Sequence, residues 1–184
     1  RKQQDSDNKF EDKFVYADQE LFELFHLPLI YGDKKAILNE PNMVVITKKI
    51  ADKYFPNQNP IGEILLLNDN TKFPFKISGV AEDIPDQNHF HYDFFISMPT
   101  LTDAENPSLV SNNYYGYVTV KEGTDIAQLK QKIHDFSFKN FAPQFKEIQN
   151  LDFTEMAKNG QYYRAMLQPV ADIHLYSPPS EANL

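Results

Sequence analysis

The sequence predicts a fold of the α+β class, with short strands, few helices and room for two small lobes. Three observations lead to this prediction. Apolar residues alternate in short runs, the first two helical stretches are short and end at proline, and an unpatterned stretch lies near the middle. The chain has 184 residues, of which 41% are apolar. That size allows one domain or two lobes, each with its own core.

The N-terminal part predicts an arm followed by a strand and a helix. Residues 1–12 are mostly charged or amide side chains, and we expect a flexible arm there. FVYA, beginning at Phe14, is typical of a short strand. Asp18 is placed to cap a helix that Pro28 would stop. LPLIYGD then predicts a turn at Gly32.

A second strand–helix unit begins at Asn42. MVVIT is typical of a short buried strand, and Thr47 is placed to cap a helix that Pro56 closes. EILLL and the alternating stretch from Phe73 to Ile77 predict two strands that pair as a hairpin across NDNTK. HYDFFISM predicts a further strand, with both faces partly covered because Phe95 falls on its polar side.

The last third predicts a strand, a helix and a strand after a boundary at residues 99–113, which are rich in turn residues. YGYVTVKEG and YYRAMLQPV are the predicted strands, and Thr124 or Asp125 is placed to cap the helix between them. A βαβ unit and an α+β arrangement with antiparallel strands both fit this order. The apolar positions of the helix share one face: Ile126, Leu129, Ile133 and Phe136.

Composition excludes several classes of function. The net charge of −8 and the pI near 5.1 argue against nucleic acid or an anionic membrane surface as partner, because either would need a basic face. The chain has no cysteine, which excludes disulfides, thiolate nucleophiles and cysteine metal sites. No apolar run approaches the roughly 20 residues that span a bilayer, and no signal peptide is evident.

The stretch KYFPNQNPIGEILLL invites comparison with a phosphate-binding loop. Gly62 is its only glycine and no GK[ST] follows, so a loop that cradles phosphate cannot be built there. We interpret Asn57 to Gly62 as a corner between a helix and a strand. In this interpretation Pro60 fixes φ, and Gly62 is free to adopt a positive φ.

The stretch DIPDQNHFHYD is the most tempting candidate for a metal site. His89 and His91 would share one side of an extended segment, close in sequence to Asp83, Asp86 and Asp93. No other diagnostic ligand appears, and HFH is also typical of a strand entrance. We therefore predict no metal ligand, and we expect His26 only to favour the end of its helix.

Other chemistry is not assembled in the sequence. There is no GxSxG motif, and no serine and histidine are arranged as in a triad, so we predict no catalytic residue, no cofactor site and no enzyme. Tyrosines cluster in two places and could bind sugar or peptide, although paired aromatics in strands more often place one ring in the core. These tyrosines are Tyr114, Tyr115, Tyr117, Tyr162 and Tyr163.

Several segments, in order, resemble the MacB-type periplasmic core domain of FtsX-family ABC transporter permeases. They are YADQELFELFHLPLIYGD, VVITKKIADKYFPNQNPIGEILLL, FKISGVAEDIP, FHYDFFISM and LQPVADIHL, and the similarity runs from about Phe14 to Leu175. The most specific pieces are VVIT, KYF, NPIG, ISGV and DIP. They lie at Val44 to Thr47, Lys53 to Phe55, Asn59 to Gly62, Ile77 to Val80 and Asp83 to Pro85.

This resemblance implies a sabre-like lobe and part of a porter-like strand–helix–strand lobe. We expect a flexible arm (1–12), a connecting strand–helix segment (13–42), the sabre-like lobe (43–98), a boundary loop (99–113), the porter-like half lobe (114–176) and a tail (177–184). The other half of the porter-like lobe, expected before residue 1, is absent from the sequence. Segment 114–170 would then leave an unpaired sheet edge that promotes dimers or strand exchange.

The resemblance also implies a non-catalytic extracytoplasmic domain of an inner-membrane protein. The chain itself has no Walker A motif and no ATPase signature. It would couple cytoplasmic ATP hydrolysis to movement in the periplasm, for export, lipoprotein release or envelope signalling. Implied partners are a cytoplasmic ABC ATPase subunit reached through transmembrane helices, a second permease copy, and a periplasmic or outer-membrane protein, but no nucleic acid. Two rival hypotheses are a free-standing periplasmic module that binds glycan or peptide, and a metal-dependent hydrolase centred on His89, His91 and Asp93.

Overall fold

Short strands and short helices fill the first part of the chain in a computed structural model, and one long helix dominates the later part. The structure describes residues 13–66, 72–104, 113–149, 152–160 and 166–173. The chain divides into two compact units. The described residues up to 104 belong to unit 1, and those from 113 onward belong to unit 2.

Unit 1 contains one mixed sheet of six strands. They are β1 (Phe14–Ala17), β2 (Leu29–Tyr31), β3 (Met43–Thr47), β4 (Ile64–Leu66), β5 (Pro74–Ala81) and β6 (Phe94–Ser97). The sheet order is β1-β6-β3-β5-β2, and β4 also pairs with β5. The pairs β1–β6 and β3–β5 are parallel, whereas β3–β6, β4–β5 and β2–β5 are antiparallel.

The sheet of unit 1 is covered on both faces by separate apolar clusters. Helix α2 (Lys48–Tyr54) supplies Ile50, Ala51 and Tyr54 to the first cluster, where they pack with alternate residues of the strands. Helix α1 (Glu20–Leu24) supplies Phe22 to the second cluster, and its ring meets Phe95 edge to face at 5.1 Å. Both faces of β3 and β6 are therefore buried, which agrees with the apolar residues that precede Thr47 and Ser97 at their ends.

Unit 2 consists of helices in the described residues. Helix α3 runs over Ile126–Gln149 with Pro143 inside it, and helix α4 covers Phe153–Lys158. The Asp125 carboxylate caps α3 by accepting a hydrogen bond from the backbone N–H of Gln128 at 3.0 Å. Phe153 joins the two helices, since its ring centroid lies 5.0 Å from that of Phe145.

The predicted mixed α+β class is confirmed, and most predicted strands of unit 1 are present. The β4–β5 hairpin forms, although most of its turn, NDNTK, lies outside the described residues. Both faces of β6 are covered, as Phe95 indicated. Phe73, however, lies before β5 and is 56% exposed, and Met98 begins a 3₁₀ turn instead of continuing β6.

Two predictions near the N-terminus are wrong. Asp18 does not cap α1 with its side chain, and the N-cap residue is Gln19. Helix α1 ends at Leu24, before Pro28 is reached, because His26 adopts a positive φ of 52°. The LPLIYGD stretch contains strand β2 in addition to the turn at Gly32, because its backbone pairs with the end of β5.

The predicted strand YGYVTVKEG is also wrong. Residues 113–121 adopt no strand in the described structure, and Val118 and Val120 on one side of the segment are 64% and 46% exposed. A strand requires a neighbour for its backbone groups, and no described residue of unit 2 provides one. The first part of YYRAMLQPV lies outside the described residues, and its end at Val170 forms a 3₁₀ turn.

Candidate functional site

The NPIG corner connects the end of α2 to strand β4. Asn57 and Gly62 take positive φ values of 58° and 88°, and the Asn59 side chain accepts a hydrogen bond from the backbone N–H of Ile61 at 3.1 Å. The backbone N–H of Gly62 donates to the carbonyl of Ile77 at 2.8 Å. These bonds fix the direction in which the chain enters β4, as expected for a structural corner.

The DIP segment holds the start of α2. The Asp83 carboxylate accepts a hydrogen bond from the backbone N–H of Lys49 at 2.8 Å. Thr47 is the N-cap residue, as predicted by position, but its side chain makes no capping bond, and its hydroxyl is buried without a partner in the described structure. The sequence therefore identified the helix start but assigned the cap to the wrong side chain, because Asp83 is 34 residues away from Lys49.

The SGV piece lies where neighbouring backbone segments pack closely against β5. Ser78 lies where the β3–β5 register shifts, and its hydroxyl donates to the carbonyls of Ile37 and Val44. A Cβ on Gly32, which has a φ of 106°, would lie 2.6 Å from the Ser78 carbonyl oxygen. A Cβ on Gly79 would meet side chains of two neighbours at 3.1 and 3.2 Å. Small residues are therefore required at this crossing.

All five pieces of the resemblance meet around β3, β5 and α2, where they serve as framework. Between the first two pieces, at the surface of α2, the Lys48 amino group donates a hydrogen bond to the Asp52 carboxylate at 2.5 Å, and this bond raises the pKa of the Lys48 amino group. No nucleophile–base pair arises from these contacts. Within the described residues, the contacts of the five pieces connect β3, β5 and α2 to one another.

The histidine stretch is divided between core and surface. His89 is 4% exposed, and its ring lies 5.5 Å from that of Phe25 and 5.0 Å from that of Phe90. His91 is exposed, and Asp93 pairs with Lys49 at 3.7 Å. No group of three residues able to hold a metal occurs in the described part of the chain. His89 thus takes part in an aromatic cluster of unit 1.

The tyrosine clusters are described only in part. Tyr114 is 36% and Tyr115 is 63% exposed, whereas Tyr117 is half-buried. Tyr162 and Tyr163 lie outside the described residues. Tyr115 therefore presents most of its ring to solvent.

Large apolar side chains are exposed mainly in unit 2. Phe136, on the predicted apolar face of α3, is 64% exposed, and Met166 is 71% exposed. The sequence gives no signal for this exposure, because an apolar face flanked by lysines is also compatible with a core. Other exposed large apolar residues in the described part of unit 2 are Tyr114, Tyr115, Val118, Val120, Ile126, Phe138 and Val170.

Comparison with known proteins gives one family and two similar structures. The family model of the MacB-like periplasmic core domain matches residues 2–136. A domain of a permease candidate from Porphyromonas gingivalis is 20% identical, with a TM-score of 0.61, over 89% of this chain and 69% of that chain. The periplasmic region of MacB from Actinobacillus actinomycetemcomitans is 14% identical, with a TM-score of 0.41, over 80% of this chain and 64% of that chain. A search of curated protein sequences gives no match.

Proposed function

The chain belongs to the family of MacB-like periplasmic core domains, and we propose that it is the extracytoplasmic, non-catalytic part of an ABC transporter permease that couples cytoplasmic ATP hydrolysis to movement in the periplasm. The single observation that carries this proposal is the family match over residues 2–136. The fold shared with the permease candidate agrees with it. The cargo class, whether export, lipoprotein release or envelope signalling, stays open in the proposal.

The proposal places the chain on an inner-membrane protein. No helix within the described residues combines the length and apolar character of a membrane crossing. In the proposal, a cytoplasmic ABC ATPase subunit acts on this domain through the transmembrane helices of the permease. Binding and hinge movement would be the physical basis of coupling, with two arrangements of the lobes biased by the nucleotide.

Further partners are proposed from the surface of unit 2. A second permease copy and a periplasmic or outer-membrane protein are the candidates, because exposed apolar side chains are typical of interaction sites. The sequence predicted dimerisation through an unpaired sheet edge in segment 114–170, but the first strand of that segment does not form in the described structure. The exposed residues Val118 and Val120 support the proposal instead.

Spin-label distances in the full-length permease test coupling directly. The chain contains no cysteine, so labels can be introduced at chosen positions. Ile61→Cys with Glu122→Cys reports on the two units, and Ile61→Cys with Lys34→Cys reports within unit 1. We expect ATP and a hydrolysis-blocked analogue to change the first distance distribution and to leave the second unchanged. If the distance distribution of each pair is the same in every nucleotide state, coupling is contradicted.

Purification of the native protein separates this proposal from its main rival. After detergent extraction we expect the protein in the membrane fraction together with an ATPase subunit. A free-standing glycan- or peptide-binding module would instead be found in the periplasmic fraction and would purify without an ATPase subunit. Exposed Tyr115 is the observation that favours the rival, and Tyr115→Ala would then abolish ligand binding.

A further inference from the structure

Helix α3 carries an apolar stripe on its outer surface, which we name the α3 seam. Its members recur at alternating intervals of three and four residues, so they lie along one side of the helix. Ile126 and Phe136 are 42% and 64% exposed, and the other members are half-buried. The polar Asn140 continues the spacing, and Pro143 ends it. The α3 seam consists of Ile126, Leu129, Ile133 and Phe136.

The α3 seam is additional to the contacts that hold α3 in its unit. The buried positions of α3 are Ser137 and Phe145, which lie outside the seam. Phe145 and Phe138 pack against Phe153 of α4 at 5.0 and 5.8 Å between ring centroids. The helix thus has an inward surface already, and the seam is a second apolar surface.

Lysines flank the α3 seam on both sides. Lys130 lies on one side, and Lys132 and Lys139 lie on the other. All three are exposed and form no ion pair with any residue that the structure describes. Asp135 is the one acidic residue between Ile126 and Lys146, and its carboxylate accepts a hydrogen bond from the Gln131 side-chain amide at 2.8 Å. The local charge is thus positive on a chain whose net charge is −8.

We propose that the α3 seam binds an amphipathic helix of a partner protein whose apolar positions are flanked by glutamate or aspartate. Apolar residues at intervals of three and four are the pattern by which helices pair side by side. Lysines at the flanking positions select acidic flanks on the partner. A second copy of this helix is disfavoured, because lysines would then face lysines. The inference concerns a binding surface and does not depend on coupling to ATP.

Two synthetic helical peptides test the proposal on the complete 184-residue chain. Both carry isoleucine and leucine at the apolar positions, and they differ only in glutamate or lysine at the flanking positions. We expect the glutamate peptide to bind about tenfold more tightly in fluorescence anisotropy, since several flanking ion pairs add up. This preference should weaken as salt screens the charges.

Matched variants assign the binding to the seam. A triple variant should bind the lysine peptide more tightly than the glutamate peptide; it carries Lys130→Glu, Lys132→Glu and Lys139→Glu. A control variant with Lys34→Glu and Lys35→Glu, at exposed sites in unit 1, should still prefer the glutamate peptide.

Phe136→Ser should weaken binding of the glutamate peptide by about tenfold or more. Phe73→Ser, at a site 56% exposed, should leave the affinity unchanged. Circular dichroism checks that each variant keeps its helix content.

Three outcomes would overturn the proposal. Equal affinity for the two peptides, or a preference that survives reversal of the lysines, would remove the charge argument. Lysine-dependent binding to phosphatidylglycerol vesicles without peptide binding would make a membrane surface the occupant. A dimer that is lost in Phe136→Ser, with neither peptide bound, would make a second copy the occupant.

Discussion

Replacing Asp83 with alanine tests whether the DIP segment holds the start of α2. The Asp83 carboxylate accepts from the Lys49 N–H at 2.8 Å, and the Thr47 side chain offers no alternative cap. A side-chain cap contributes about 0.5–2 kcal/mol, and we expect about 1 kcal/mol here because Asp83 is exposed. For a chain of this length, that loss lowers Tm by about 2–4 °C.

Two further variants make the measurement specific. Asp86→Ala removes the same charge from the same exposed segment, where the side chain makes no hydrogen bond with a described residue. Asp83→Asn removes the charge but keeps an oxygen that can accept from Lys49. In urea unfolding followed by circular dichroism, Asp83→Ala should have a lower free energy of unfolding than the other two variants, and both of those should be close to the unmodified chain.

The ranking can fail in two informative ways. If Asp83→Ala and Asp86→Ala unfold at the same urea concentration, the Asp83 bond contributes nothing to stability. If Asp83→Asn loses as much as Asp83→Ala, the carboxylate acts through its charge near the helix start and not as a hydrogen-bond acceptor. Either result would refute the assignment of Asp83 as the cap of α2.

Three other changes have outcomes that the structure predicts. Gly32→Ala should cost about 2–4 kcal/mol in urea unfolding, since the residue has a positive φ and its Cβ would meet the Ser78 carbonyl, whereas Gly116→Ala in open space should stay within about 0.5 kcal/mol. Thr47→Val should leave stability unchanged or raise it by up to about 1 kcal/mol, because it removes a buried hydroxyl without a partner in the described structure; a clear loss would reveal a hydrogen bond. Desolvation and the charge of Glu20 raise the pKa of Asp18 above its ordinary value of 3.8. At pH values just above 3.8 the folded chain therefore binds more protons than the unfolded chain, so the free energy of unfolding falls as pH rises through this window. In urea unfolding at several pH values, Asp18→Asn should lack this contribution to the pH dependence.

Local pattern was sufficient for the strands that lie inside unit 1. Residues Val44 to Thr47 are all buried, and a run of β-branched residues in so short a segment is typical of a strand covered on both faces. The alternation of Phe75 and Ile77 likewise identified the inward side of β5, because both are buried while Lys76 between them is exposed. In these segments the pattern and the tertiary environment agree, so the sequence alone predicts the outcome.

Relations between distant segments could not be predicted in this way. Strand β1 runs parallel to β6, in register from Phe14 with Phe94, and nothing in either segment specifies that partner. Strand β2 has three residues and lies in a stretch whose sequence predicts only a turn. It forms because its backbone pairs with the end of β5. The Asp83 cap is of the same kind, since its acceptor and donor lie far apart in sequence.

The two helices with the clearest apolar faces show why the same pattern led to different results. The face of α2 is buried, and Ile50 and Tyr54 are 0% and 5% exposed, because strands lie beneath it. The face of α3 has equivalent spacing, yet Phe136 remains 64% exposed. Lysines beside an apolar stripe do not decide between these cases, since their alkyl chains can lie along a core and keep the charge in water. Periodicity therefore predicts that a side is apolar, while what covers that side depends on residues elsewhere in this chain or in another. For α3 the described residues of the chain do not supply that cover, which is why binding is the measurement that identifies it.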